Sequence, residues 1–257
     1  MFGAIIGDIV GSTYEFHNKK SKDFPFWTKS SHITDDTVMT CAVSAALREY
    51  KNDKTKNAHA LIIKRMREIG REYPLCGYGN MFLTWINARY PKPYNSYGNG
   101  SAMRVSSAAW VADSIEEAKE LAIYSAEVTH NHPEGVKGAV AVAEAIYMAR
   151  QSCTKEEIKE HLSQYYDLDF TLDQIRPDYE FDATCQGSVP QAIVAFLEGT
   201  GFEDVIRNAV SIGGDSDTIA AIAGSIAEGF YGIPARMKAR ALSSLDPLLI
   251  RALGIME

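Results

Sequence analysis

Apolar residues recur at three- and four-residue spacing in one segment after another of this chain, and that repeated helical period leaves little room for a sheet. The segments are 36–49 (DTVMTCAVSAALRE), 57–73, 115–128, 135–151, 190–198, 202–211, 217–230 and 235–243. Alternating β-branched runs are missing, so the sequence predicts an all-α protein. Two helix starts carry the capping-box spacing, Ser114-x-x-Glu117 and Thr154-x-x-Glu157, which satisfies the free N–H groups of a first turn. Residues 165–188 (YYDLDFTLDQIRPDYEFDATCQGS) form the longest stretch without helical pattern and read as irregular. The chain has 257 residues and neither a fixed-period repeat nor a low-complexity linker, so one domain spanning 1–257 is expected.

Charge narrows the partners. A net charge of −7 and a pI of about 5.4 argue against a nucleic-acid backbone or an anionic membrane surface, while leaving room for a local pocket that holds a phosphate. A hydrophobic share of 46% with 23% charged residues excludes a disordered chain. The N-terminal MFGAIIGDIVGSTYEF lacks a basic n-region and is interrupted by Asp8, and no apolar stretch approaches a membrane span, so a cytoplasmic protein is expected. Cys41, Cys76, Cys153 and Cys185 lie far apart with no CxxC pair, which predicts reduced, mostly buried thiols rather than a zinc site or a disulfide framework.

The chemistry concentrates in two acidic clusters of one design. Thr34-Asp35-Asp36-Thr37 precedes the 36–49 helix, just as Asp215-Ser216-Asp217-Thr218, led by Gly213-Gly214, precedes the 217–230 helix. One reading is capping, worth about 0.5–2 kcal/mol per helix start. The other is oxygen ligation of hard cations, Mg2+ or Mn2+, with enough carboxylates for two of them. One helix needs only one cap, so paired carboxylates at both starts favour ligation. An EF-hand does not fit the spacing after Asp215, and zinc lacks a Cys/His set. The helix after Asp217 is built largely of Ala, Gly, Ser and Ile, small enough for neighbouring helices to come close. Glu15 reads either as a surface carboxylate or as a mobile group acting on a water or a leaving group, and Asp8 either as a cap or as support for the ligands. Residues 91–101 (PKPYNSYGNGS) form a turn-rich loop in which glycine lets backbone N–H groups approach a ligand.

Six motifs in chain order resemble those of the ADP-ribosylglycohydrolase family: GAIIGDIVGSTYEF, ITDDTVMT, SYGNGSAMR, THNHPEG, QGSVPQAIVAFLEG and SIGGDSDTIAAIAG. The match runs from Gly3 to about Gly232. This resemblance implies a single compact orthogonal helical domain with two divalent cations, Mg2+ or Mn2+, at the bottom of an ADP-ribose cleft. It implies Thr34, Asp35, Asp36, Asp215, Asp217 and Thr218 as cation ligands, and Glu15 as the acid/base group with Asp36 as a second catalytic carboxylate. Ser96, Tyr97, Gly98, Asn99 and Gly100 become the substrate loop. Ser96 and Gly98 would meet phosphate, Tyr97 would pack on adenosine, and Gly98 and Gly100 would admit a diphosphate to backbone N–H groups. His130 is either a ligand contact or an ordinary buried histidine.

The implied reaction is metal-dependent hydrolysis of the glycosidic bond between ADP-ribose and an acceptor, either a protein side chain or a small-molecule conjugate. A monomer is expected. The STYE and SYGNG motifs tilt the acceptor towards serine or another O-linked group. Departures are small in the core motifs, where GGDSDT replaces the usual GGDTDT and Ala220 stands where Gly is common, but residues 165–188 do not align. Two other readings stay open: an inactive ADP-ribose-binding or structural module of the same fold, and a metal-dependent nucleotide diphosphate hydrolase. So many mutually repelling carboxylates favour an enzyme over a retired site.

Overall fold

The computed structural model describes residues 1–255. In chain order its helices are α1 (Phe2–Gly11), α2 (Asp35–Asn52), α3 (Ala58–Gly70), α4 (Asn80–Asn87), α5 (Gly100–Met103), α6 (Ser106–Val111), α7 (Ile115–Glu127) and α8 (Pro133–Arg150). They continue as α9 (Lys155–Leu162), α10 (Leu172–Ile175), α11 (Cys185–Glu198), α12 (Phe202–Ser211), α13 (Ser216–Tyr231), α14 (Ala235–Leu242) and α15 (Pro247–Leu253). Among the described residues there is no strand, only an isolated antiparallel bridge between Gly98 and Thr184, and the protein is all-α. No helix among them is long and apolar enough to cross a membrane.

The eight periodic segments all appear as helices; α4, α5, α6, α9, α10 and α15 lie outside them, and so does α1. All ten of its residues are buried, so it has no polar face and nothing against which a helical period stands out. What marks it instead is glycine at every fourth position. A Cβ on Gly3 would lie 2.0 Å from Gly224 O, one on Gly7 2.0 Å from Ala220 O, and one on Gly11 2.4 Å from Ser216 O. The backbones of α1 and α13 therefore touch along an antiparallel seam, which explains the small side chains of α13. That helix is buried from Ser216 to Ala227 and is surrounded by α1, α8, α11 and α12.

Helix ends follow the capping chemistry with one variation. Thr154 and Glu157 form the reciprocal box. Ser114 accepts from Glu117 N, but the Glu117 carboxylate turns to Asp113 N (2.7 Å) and to Lys51 and Lys54 instead of closing the box. The segment read as irregular contains the short α10, opened by a Thr171–Gln174 box, and α11 starts within it at Cys185 rather than at 190. Gly187 and Pro190 lie in that first part of α11 and hide its period; Thr184 caps it by accepting from Gly187 N. Of the four free thiols only Cys41 and Cys185 are buried; Cys76 and Cys153 are partly exposed.

Candidate active site

Asp8, fully buried in α1, caps a helix that is not its own. Its carboxylate accepts from Thr34 N (3.0 Å), Thr37 N (3.1 Å), Thr34 Oγ1 (2.8 Å) and Thr37 Oγ1, so the start of α2 is tied to α1. Thr34 in turn accepts from Asp36 N (3.3 Å). With these caps in place the Asp36 side chain is free to face inward. Its Oδ2 accepts from Thr218 Oγ1 (3.2 Å), and its Oδ1 is buried with no partner among the described residues. An orphaned carboxylate oxygen in the interior costs several kcal/mol in principle and calls for a cation.

The second cluster arrives from the far end of the chain. Gly213 and Gly214 both adopt the left-handed conformation, φ 74° and 71°, which a side chain would strain, and they turn the backbone into α13. Asp215 stands at the N-cap position of α13, yet its side chain makes no cap hydrogen bond. Its Oδ2 accepts from Asn99 Nδ2 (2.7 Å) instead. Asp217 accepts from Thr218 N (3.0 Å). One carboxylate oxygen each from Glu15, Asp215 and Asp217 lie within 4.8 Å of one another. Burial and then neighbouring carboxylates push Glu15 and Asp35 up to about 7, and hold Asp36 and Asp217 well above the usual range. An all-oxygen donor set of this charge fits hard cations.

Glu15 reaches this point on a loop fastened by its neighbours. Asn18 Nδ2 donates to Glu15 O (2.7 Å), while Asn18 Oδ1 accepts from Gly214 N (2.5 Å), so one side chain clasps the Glu15 loop to the turn that aims Asp215. Lys20 adds bonds to Ile212 O (2.7 Å) and Tyr179 O (2.5 Å). Replacing Asn18 by Ala is expected to lower turnover about tenfold with little change in melting temperature, a loss of about 1.4 kcal/mol in transition-state stabilisation. Steady-state kinetics beside a thermal melt check this; an equal fall in both would make the clasp merely structural.

The cluster forms the floor of a cavity of about 840 Å³, lined by Thr34, Asp35, Asp36, Asp215, Asp217, Thr218 and Glu15, by residues 96–100, and by His130. The loop residues also make contacts within the protein. Asn99 is buried and spends its amide on Asp215 and on Ser188 Oγ (2.9 Å), so it positions a carboxylate. Gly98 N–H donates to Ser96 Oγ (3.1 Å). Gly100 leaves room for His130, since a Cβ there would lie 3.3 Å from its Nε2, whereas a Cβ on Gly98 would first meet Ser96 Oγ (3.3 Å) and Ala183 O (3.4 Å), with His130 Nε2 at 3.6 Å. Tyr97 is half exposed at the rim with its ring 5.3 Å from that of His132. The end of the irregular segment holds this loop in place through Asn99 N to Ala183 O (2.8 Å) and Cys185 N to Tyr97 O (2.9 Å).

Phe16, Leu75, Met81 and Phe181 were not singled out by sequence reasoning. They join Tyr97 as exposed apolar groups around the cavity, although side chains of this size are normally covered. No local pattern marks them, because their segments meet only in the folded chain.

Fold and site together define an all-helical protein with a carboxylate-floored cleft at the start of two buried helices. The ADP-ribosylglycohydrolase family profile matches residues 1–253, and the chain belongs to that family. It is 26% identical to human ADP-ribosylhydrolase ARH3 over 90% of this chain and 84% of that one. It is also 26% identical to the ADP-ribosylarginine hydrolase Tri1 of Pseudomonas putida, over 91% of this chain and 70% of that one. The solved structure of an ADP-ribosylglycohydrolase-related protein complex superposes with a TM-score of 0.68 at 22% identity, covering 98% of this chain and 97% of its own, a likeness of fold.

Proposed function

We propose that this protein hydrolyses the glycosidic bond between ADP-ribose and an O-linked acceptor, with divalent cations held by Asp36, Asp215 and Asp217 and completed by Thr34, Asp35, Thr218 and Glu15. The observation that carries the reading is the buried, partnerless Asp36 Oδ1 beside the Glu15, Asp215 and Asp217 cluster on the cavity floor. Similarity to enzymes named as ADP-ribosylhydrolases supports the reaction class. Two Mg2+ or Mn2+ ions at such a site would supply Lewis-acid polarisation of the oxygens they touch. Glu15, the most exposed of the cluster and the one carried on a loop, is placed to move a proton at the scissile oxygen or at the attacking water. Gln at this position would keep the shape and lose that proton.

The acceptor preference rests on charge. Every carboxylate lining the cavity belongs to the acidic floor: Glu15, Asp35, Asp36, Asp215 and Asp217. None is left over to pair with the guanidinium of an arginine acceptor, whereas an apolar rim suits a neutral linkage. The test is release of free ADP-ribose from serine-linked and arginine-linked peptides, each with Mg2+, Mn2+ or EDTA. Cation-dependent release from the serine-linked peptide is expected. Release of AMP instead would favour a diphosphate hydrolase, and ADP-ribose binding without release from any substrate an inactive module. Glu15→Gln is expected to reduce turnover about 10²-fold while a Mn2+-induced thermal shift survives; near-normal turnover removes Glu15 from the chemistry.

A further inference from the structure

Arg104 is almost wholly buried at the edge of the cavity, and neither of its hydrogen-bond partners is a carboxylate. Its Nη2 donates to Ser125 O (2.8 Å) and to Thr129 Oγ1 (2.8 Å). Ser125 lies in the last turn of α7, at the negative end of the helix dipole, where a cation is favoured. Thr129 Oγ1 then lies 2.7 Å from His130 Nδ1.

The protons of this chain of contacts can be assigned by counting. A guanidinium N–H only donates, so Thr129 Oγ1 accepts from Arg104. Between Thr129 and His130 one atom must be the donor. Were it the imidazole, the threonine proton would be buried with no acceptor, since Thr129 Oγ1 has no further partner among the described residues. With the hydroxyl donating to Nδ1, no proton of Thr129 or His130 is sealed inside the protein, and the imidazole proton sits on Nε2; the Arg104 Nε–H has no partner among the described residues in either arrangement. That nitrogen has no hydrogen-bond partner among the described residues, belongs to a ring only 5% exposed, and lies near Gly98 and Gly100 on the cavity wall.

We infer that Arg104 and Thr129 are positioning residues that lock His130 in its Nε2–H tautomer, so that it offers the cavity a hydrogen-bond donor for an acceptor oxygen of the ligand. Burial and then the Arg104 charge hold the imidazole pKa well below its ordinary value, so the donor is neutral and selects for an acceptor atom without adding charge. That the ligand is ADP-ribose rests on the function proposed above; the tautomer does not.

The test separates the two. In the free wild-type protein, 15N NMR of the histidine rings should show His130 with an unprotonated Nδ1 and a protonated Nε2. Thr129→Val should move both signals towards a mixture of tautomers and weaken ADP-ribose binding about tenfold, and Thr129→Ser should restore both. A wild-type spectrum with the proton on Nδ1 overturns the inference, and so does a Val variant with unchanged signals and affinity. Should Thr129→Val fail to fold, the wild-type spectrum alone decides. Absence of ADP-ribose binding by the wild-type protein would overturn the hydrolase reading, and the spectrum of the free protein would still decide the tautomer.

Discussion

Asp36→Asn is expected to lower turnover by about 10²–10³-fold and, without added cation, to raise the melting temperature. The two effects have one cause. Asp36 is 3% exposed, one of its oxygens has no partner, and Asp8, Asp35 and Asp215 all bear on it with like charge. Without a cation, that arrangement works against the folded state, so a neutral side chain of the same shape stabilises it by about 0.5–2 kcal/mol. With a cation, the same charge is what grips it. The Thr218 Oγ1 hydrogen bond to Oδ2 survives the change, because the amide oxygen can still accept it. Thermal melts with EDTA and with Mn2+ are the measurement, beside turnover. Wild-type protein should gain more from Mn2+ than the variant does, and a variant less stable than wild type in EDTA would mean that Asp36 is a structural residue.

Gly7→Ala is expected to destabilise the fold by about 2 kcal/mol or more, against the direction given by helix propensity, which favours Ala by about 1 kcal/mol. The new Cβ would sit 2.0 Å from Ala220 O, 2.3 Å from Ala220 C and 2.6 Å from Ala221 N. All three are backbone atoms of a fully buried helix segment, so no side chain can swing away to admit it. One helix must retreat from the other, and both carry site residues: Asp8 anchors α2 from one side of the seam, and Asp215 and Asp217 open α13 on the other. Turnover should therefore fall with stability. Gly201→Ser is the control. Nothing lies within 4 Å of a Cβ there, the residue is the N-cap of α12, and the change should add a few tenths of a kcal/mol (~0.3) at most. Denaturant unfolding of the three proteins measures both, and a Gly7→Ala protein as stable as wild type would mean the seam is looser than it looks.

The site was legible in proportion to how local its signals are. Paired aspartates beside threonines at two helix starts can be seen in a string of residues, and the cavity brings them together from positions 34–36 and 215–218. Asn99 is the opposite case. Its place in SYGNG put it in the substrate loop, and its amide lies against Asp215, 116 residues away in sequence, a bond that nothing local foretells. The clasp made by Asn18 and the chain from Arg104 to His130 are hidden for the same reason, since each joins segments far apart in sequence or turns on which nitrogen of a ring faces which neighbour.

By itself the sequence determined that the chain is helical, that its acidic pairs sit at helix starts, and that its motifs follow those of one family; helical period, capping chemistry and motif order act over a few residues at a time and survive in a linear string. Only the tertiary structure decided which helices touch, that α1 exists as the seam partner of α13, and which side chains spend their hydrogen bonds on one another before any ligand arrives. A buried group finds its partner through the packing of whole helices, and that packing is a property of the folded chain alone.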